Sequence, residues 1–106
     1  MPMGRTYERT YEAPHYRVWD ALMATITDLG YVDVVPNLPA GNIAYRTGPS
    51  MSTWRGQQMA AVVRDQGGST LVSLSGRAAG SQLVSWGETT RLANKVLNRL
   101  DQRMAG

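Results

Sequence analysis

The stretch at residues 85–104 limits the fold most strongly, because its start, its periodicity and its polarity all predict one amphipathic helix. Ser85 followed three residues later by Glu88 matches a capping box. At about 100° per residue the apolar side chains share an arc of roughly 140°. A helix of this length needs a large apolar surface to pack on, and the preceding chain is typical of strands, so we expect a sheet beneath it. The apolar stripe consists of Trp86, Leu92, Ala93, Val96, Leu97, Leu100 and Met104.

The length and composition of the chain indicate one domain over residues 1–106 and exclude several kinds of site. The sequence contains no cysteine, so it has no disulfide, no thiolate nucleophile and no cysteine-bound metal. No apolar run approaches the roughly 20 residues that cross a bilayer, and the first residues do not form the apolar region of a secretion signal. We therefore expect a cytoplasmic protein without a membrane span.

The rest of the chain predicts one more helix and five strands. Alternation at residues 5–12 indicates a strand whose tyrosines face inward. Residues 14–29 show helical periodicity and end at Gly30, which suits a left-handed C-cap. Four strand segments follow at residues 31–35, 43–47, 53–65 and 70–76, with the first stopped by Pro36 and a loop after the last at residues 77–84. The third of these is apolar on both faces and should lie at the centre of the sheet.

This order, β-α-β-β-β-β-α, predicts an α+β two-layer sandwich with an antiparallel sheet of about five strands. Each helix has one apolar stripe, so both should cover the same face of the sheet if the chain has one core. The other face of the sheet stays open.

Three segments resemble those of small bacterial domains of the TBP-like or helix-grip group: EAPHYRVWDAL at residues 12–22, LGY at 29–31 and GNI at 41–43. This group includes Bet v 1-like (START-type) ligand-binding proteins and the domains of the barrel-assembly lipoprotein BamC. The resemblance implies a helix-grip fold and a binding role. The chain has two strands fewer than a typical Bet v 1-like domain and lacks the anchor cysteine of a lipoprotein. These groups share no catalytic motif, so the resemblance implies no catalytic residue.

One cluster suggests an apolar ligand site between the sheet and the last helix. It comprises the segment at residues 54–59 and the loop before it, with aromatic and thioether side chains that suit an apolar ligand. The same residues could equally be plain core, or part of an interface on the open face of the sheet. The candidate ligand-binding residues are Met51, Trp54 and Met59, with Trp86 and Met104 at the two ends of the site.

Catalytic and metal chemistry has little support in the sequence. His15 is the single histidine, and its nearest acidic neighbours do not have the spacing of a metal site. The other carboxylates are dispersed, and no pair is placed as general acid and base. We therefore expect no enzyme activity, no metal and no cofactor.

Basic residues recur at intervals of four on the last helix, at Arg91, Lys95, Arg99 and Arg103. They can be a solvated surface that also favours the helix C-terminal dipole, or a contact for an anionic partner. Nucleic acid is not expected, because the net charge is only +3 and nucleic-acid binding usually needs a larger basic excess with exposed stacking rings.

Two functional hypotheses follow from these observations. The first is a non-enzymatic binding domain that holds a hydrophobic ligand between the sheet and the C-terminal helix. The second is a protein-interaction or homodimerisation module that uses the open face of the sheet.

Overall fold

The computed structural model describes residues 6–48, 57–78 and 86–105. Its elements appear in the predicted order and confirm the α+β class. They are β1 (Thr6–Tyr11), α1 (His15–Asp28), β2 (Val32–Asn37), β3 (Asn42–Arg46), β4 (Gln57–Asp65), β5 (Thr70–Ala78) and α2 (Trp86–Ala105).

The five strands form one antiparallel sheet in the order β1-β5-β4-β3-β2. The strand with apolar residues on both faces, β4, is central, as its sequence predicts. β1 and β2 are the two edges. Each step in this order except β1-β5 joins strands that follow one another in the chain, while β1 reaches β5 across the rest of the sequence.

One face of the sheet carries the core, and both helices pack on it. The inward positions of β3, β4 and β5 alternate with exposed ones, and Val18 and Leu22 of α1 join the same buried cluster as Val96 and Leu100 of α2. Tyr7 and Tyr11 face inward on β1, which confirms the predicted pattern. The two-layer arrangement therefore follows from the one apolar stripe on each helix.

Two predicted strand ends are wrong. Pro36 does not stop β2, because it pairs with Ile43 inside the strand. A proline is tolerated there because β2 is an edge strand, where an N–H that points away from the sheet has no ladder partner. β5 continues to Ala78, so residues 77 and 78 belong to a strand instead of the predicted loop. The predicted capping box depends on Ser85, which lies outside the described residues.

Two glycines hold turns that other residues would strain. Gly30 follows the C-cap residue of α1 with φ 76°, the left-handed conformation that its sequence position predicts. Gly41 has φ 75°, and a Cβ atom there would lie 2.9 Å from the carbonyl oxygen of Val63. The turn between β2 and β3 therefore approaches β4 too closely for a side chain.

Candidate ligand site between the sheet and the second helix

The inner face of the sheet changes from apolar to polar where β3 ends and β4 begins. Thr47, Gln57 and Thr89 are all buried there, and Gln57 has no exposed surface at all. Gln57 is the first residue of β4, so its side chain shares the inner face with Met59, Ala61 and Val63. A fully buried carboxamide beside an apolar core is costly unless its hydrogen bonds are made.

The backbone and the carbonyl oxygen of Gln57 are fully engaged. The backbone N–H of Thr47 donates to the carbonyl oxygen of Gln57, and the N–H of Gln57 donates to Thr47 Oγ1, both at 2.9 Å. Thr89 Oγ1 donates to Gln57 Oε1 at 2.7 Å. These contacts fix the orientation of the carboxamide. Its oxygen is bound by a residue of α2, and the backbone of Gln57 is bound by Thr47 at the end of β3.

The nitrogen of the same carboxamide is buried without a partner. Gln57 Nε2 donates a hydrogen bond to no group among the described residues. A primary amide nitrogen carries two N–H donors. Because Thr89 holds the oxygen of the carboxamide in place, the orientation of its two N–H donors inside the protein is also fixed.

Tyr45 places a second unpartnered polar group on the adjacent strand. Its ring stacks on Tyr31 with centroids 5.4 Å apart, and its hydroxyl is buried without a hydrogen bond in the described part of the chain. Tyr45 pairs with Met59, so it is a diagonal neighbour of Gln57 on the same face. Burial, and next the charge of a nearby Tyr31 phenolate, raise the pKa of Tyr45, which therefore stays protonated at neutral pH.

Met59 fills the space that Gly76 leaves between the sheet and α2. The two residues are paired on β4 and β5. A Cβ atom built on Gly76 would lie 2.3 Å from Met59 Sδ and 3.3 Å from Thr89 Cγ2. The thioether thus occupies the position of a missing side chain, in contact with the first turns of α2. Methionine has three rotatable side-chain bonds and adapts to irregular space.

At the other end of α2 the polar groups are paired. Asp101 Oδ1 accepts a hydrogen bond from the Tyr11 hydroxyl at 2.6 Å, and Asp101 Oδ2 accepts one from Arg9. Burial raises the pKa of Tyr11, and the hydrogen bond to Asp101 and the charge of that carboxylate raise it further. At the N-terminal end, one residue after Thr89, the hydroxyls of Tyr7 and Thr90 share a hydrogen bond. These contacts attach α2 to β1.

Of the five predicted ligand residues, the structure describes the side chains of Met59 and Met104. Met59 is buried in the site described above. Met104 lies fifteen residues after Thr89, about 22 Å along the helix axis, and packs on the opposite end of the core. Trp86 is the first residue of α2, but its side chain is outside the described set, as are Met51 and Trp54. The structure therefore brings together Met59 with Gln57, Gly76 and Thr89, and does not bring Met104 to them.

The basic residues of α2 do not form one straight row. A step of four residues turns by about 40° on a helix, so Arg91 and Arg103 differ by about 120° in direction. Arg103 faces α1 and forms an ion pair with Asp28. Lys95 and Arg99 are exposed, as is Arg91. Arg103, one of the predicted anion contacts, is thus used within the protein.

The contacts of His15 are those of a residue that packs within the fold. Its ring stacks on Trp19, and Nε2 lies 3.2 Å from the carbonyl oxygen of Val63. Within the described ranges, no group of three or more histidine, aspartate or glutamate residues could hold a metal ion. Nor does that part of the chain include a helix long and apolar enough to cross a membrane.

The sequence did not single out Gln57, Tyr45 or Thr89, although each left a signal. Gln57 is the polar member of an inward series that is otherwise apolar, and Thr89 precedes Leu92 and Ala93 on the buried stripe of α2. Both polarity signals could have been read from the periodicity. The contact between Gln57 and Thr89, which are 32 residues apart, could not be predicted in this way, because it depends on how α2 packs on the sheet.

Comparison with known proteins shows the fold and no closer relationship. No family model and no curated protein sequence matches the chain. Among solved structures, the chain is similar to the di-domain ARO/CYC StfQ from the steffimycin biosynthetic pathway, with a TM-score of 0.59 and 18% identity. The match covers 94% of this chain and 43% of StfQ, so the chain spans less than half the length of that protein.

A second similar structure is that of an uncharacterized protein from Bacillus thuringiensis, with a TM-score of 0.53 and 12% identity. The match covers 97% of this chain and 99% of the other. Both neighbours are small α+β folds of the helix-grip type, which agrees in outline with the resemblance found in the sequence.

The expectation, drawn from the sequence, that the chain is not an enzyme is contradicted by the comparison with solved structures. The similar structure of StfQ is that of a biosynthetic aromatase/cyclase, so this architecture is compatible with an enzyme. The expectation considered paired carboxylates and a histidine base, whereas the inner face of this sheet carries other buried polar groups, on Gln57 and Tyr45. At 18% identity the similarity assigns no activity to this chain.

Proposed function

We propose that the domain binds a small, largely apolar ligand between the inner face of the sheet and the first turns of α2, beside Met59. The observation that carries the proposal is the Met59–Gly76 pair. β5 lacks a side chain at this position, and the flexible thioether of Met59 occupies the space next to the methyl group of Thr89. Rotation of Met59 away from Gly76 would give an apolar ligand room without moving either backbone.

The surroundings of Met59 support a site rather than filled core. Two buried polar groups, the Gln57 amide nitrogen and the Tyr45 hydroxyl, lie beside it without partners among the described residues. Ligand sites in proteins are mainly apolar with a few polar groups that orient the ligand. Similarity of fold to an ARO/CYC also supports a ligand site on this architecture. Met51, Trp54 and Trp86 stay proposed as further lining residues.

Isothermal titration with 2-isopropenylnaphthalene, an apolar probe of two fused rings, tests the proposal. We expect one-to-one binding by the unaltered protein and tighter binding by Met59→Ala, since an apolar cavity left by a truncated core side chain accepts aromatic ligands. Met104→Ala is the matched control, because it truncates the same residue type at the other end of α2. It should leave the affinity unchanged.

Two results would contradict the proposal. If neither the unaltered protein nor Met59→Ala binds the probe, the space beside Gly76 is ordinary core. If Met104→Ala and Met59→Ala change the affinity equally, the probe binds elsewhere.

A second candidate function is protein association through the open face, favoured by exposed apolar side chains on β2 and the turn after it. Val35 is 61% exposed and Leu38 57%, and Val35 shares the outer face with Ala44. Single exposed apolar residues are common, but a contiguous group often marks an interface. Sedimentation equilibrium tests this candidate: a monomer at all concentrations would remove self-association.

A further inference from the structure

We infer that the ligand of this site carries a carbonyl-type oxygen, which accepts a hydrogen bond from Gln57 Nε2. The inference rests on the proposed function, since it names the chemistry that the same site recognises. It depends on a different observation, namely the unpartnered buried donor, and not on the packing of Met59.

The hydrogen bonds of Gln57 decide which group of the ligand can face it. Its carbonyl oxygen already accepts from Thr89 at 2.7 Å, so the end of the carboxamide that points away from Thr89 is the donor end. Nε2 is fully buried with no partner in the described part of the chain. A ligand group that only donates would leave these N–H groups unsatisfied and would bring a second donor against them. A carbonyl oxygen can accept from one of these N–H groups and still has a second lone pair for another donor.

We expect this site to distinguish strongly between ligands that carry a hydrogen-bond acceptor and ligands that do not. A buried polar group that loses its partner costs more than the net value of a made hydrogen bond, so a site built around a donor rejects ligands without an acceptor. A hydrogen bond of ordinary net value corresponds to about a tenfold difference in affinity.

The neighbouring groups make the rest of the site complementary to an aromatic or aliphatic ketone. Met59 and the Thr89 methyl group supply apolar contacts next to the amide. Tyr45 is protonated and lies diagonally across from Gln57, so its hydroxyl is a second hydrogen-bond donor on the same face. No charged side chain of the described residues takes part in these contacts. An uncharged acceptor matches the neutral hydrogen-bond donors of Gln57 and Tyr45.

Two probes of the same shape separate this inference from the proposed function. In 2-acetylnaphthalene a carbonyl oxygen replaces the terminal methylene carbon of 2-isopropenylnaphthalene. We expect the unaltered protein to bind the ketone about tenfold more tightly. Gln57→Leu should remove that preference and leave the affinity for the hydrocarbon unchanged. Gln58→Leu is the matched control, because Gln58 is the next residue on β4 and is exposed on the other face. It should keep the full preference.

A second variant and a direct signal keep the test decisive if Gln57→Leu does not fold. Thr89→Val removes the hydroxyl that holds the carboxamide, so the preference for the ketone should fall. In a ¹⁵N–¹H spectrum of the unaltered protein, the side-chain amide signals of Gln57 should shift with the ketone and not with the hydrocarbon.

The possible results each lead to one conclusion. Equal affinity for the two probes in the unaltered protein overturns the inference and leaves the proposed function standing. A preference for the ketone that persists in both Gln57→Leu and Thr89→Val also overturns it. Failure of both probes to bind overturns the inference together with the proposed function.

Discussion

The two ends of α2 meet the sheet in opposite ways. Near its C-terminus, Asp101 accepts hydrogen bonds from both Arg9 and Tyr11, and the groups of this contact are matched. Near its N-terminus, Thr89 donates a hydrogen bond to the oxygen of Gln57, and the amide nitrogen of Gln57 is left without a described partner. Both ends attach the helix to the sheet through hydrogen bonds, but the N-terminal end also leaves a buried hydrogen-bond donor available inside the protein.

This difference separates a stabilising contact from a costly one. A buried polar group without a partner destabilises a fold by about 1–3 kcal/mol, which is a large share of the stability of a small domain. The Asp101 contact avoids that cost, and Gln57 incurs it. Polar groups that remain unsatisfied in a core are common where a site awaits a ligand.

The largest expected effect comes from Met59→Ala, which should lower the free energy of unfolding by about 2–4 kcal/mol because it removes a buried side chain and leaves a cavity. Met104→Ala should cost less, since Met104 is only partly buried. Urea denaturation of both variants measures the difference. Equal losses would show that the two ends of α2 pack alike.

Asp101→Ala should come next, with a loss of about 1–3 kcal/mol, because it leaves the Tyr11 hydroxyl unpaired and removes the partner of Arg9. The partial exposure of the ion pair limits the effect, since solvent screens it. Gln57→Leu should change stability by no more than about 1 kcal/mol, because it removes an unpartnered donor together with a made hydrogen bond. A larger loss for Gln57→Leu than for Asp101→Ala in the same urea series would reverse the comparison.

A pair of tyrosine variants sharpens the same contrast. Tyr11→Phe breaks the hydrogen bond to Asp101 and should destabilise by about 1 kcal/mol. Tyr45→Phe removes a hydroxyl that has no described partner, so stability should stay the same or rise by up to about 1 kcal/mol. Thermal unfolding followed by circular dichroism compares them directly. Destabilisation of similar size in both would mean that the Tyr45 hydroxyl has a partner.

The smallest effect is confined to high pH. The pKa values of Tyr11 and Tyr45 are raised in the folded state, so above about pH 10 the unfolded chain releases protons that the folded protein retains. Stability should therefore be unaffected below pH 10 and fall as the pH rises above it. Tyr11→Phe should flatten this fall by up to about 1.4 kcal/mol per pH unit. Urea denaturation between pH 8 and about 11 tests it, and an unchanged slope in the variant would contradict the assignment.

The periodicity of the sequence predicted most of the fold. Alternation in β1, the apolar residues on both faces of β4 and the apolar stripe on α2 each reflect which residues are buried, and these patterns can be read from the sequence. The end of β2 was mispredicted because Pro36 is excluded from central strands but accepted at an edge, and the strand order is not visible locally. The candidate site was located only at Met59. Its other members come together through the packing of α2 on β4 and β5, which no local pattern encodes.

The central claim is that the site lies at the N-terminal end of α2 and not at its C-terminal end. The ε-methyl signals of methionine in a ¹³C–¹H spectrum, assigned with Met59→Leu and Met104→Leu, test it most directly. On addition of 2-acetylnaphthalene we predict that the Met59 signal shifts and the Met104 signal stays in place. A shift of Met104 with Met59 unchanged would contradict the account.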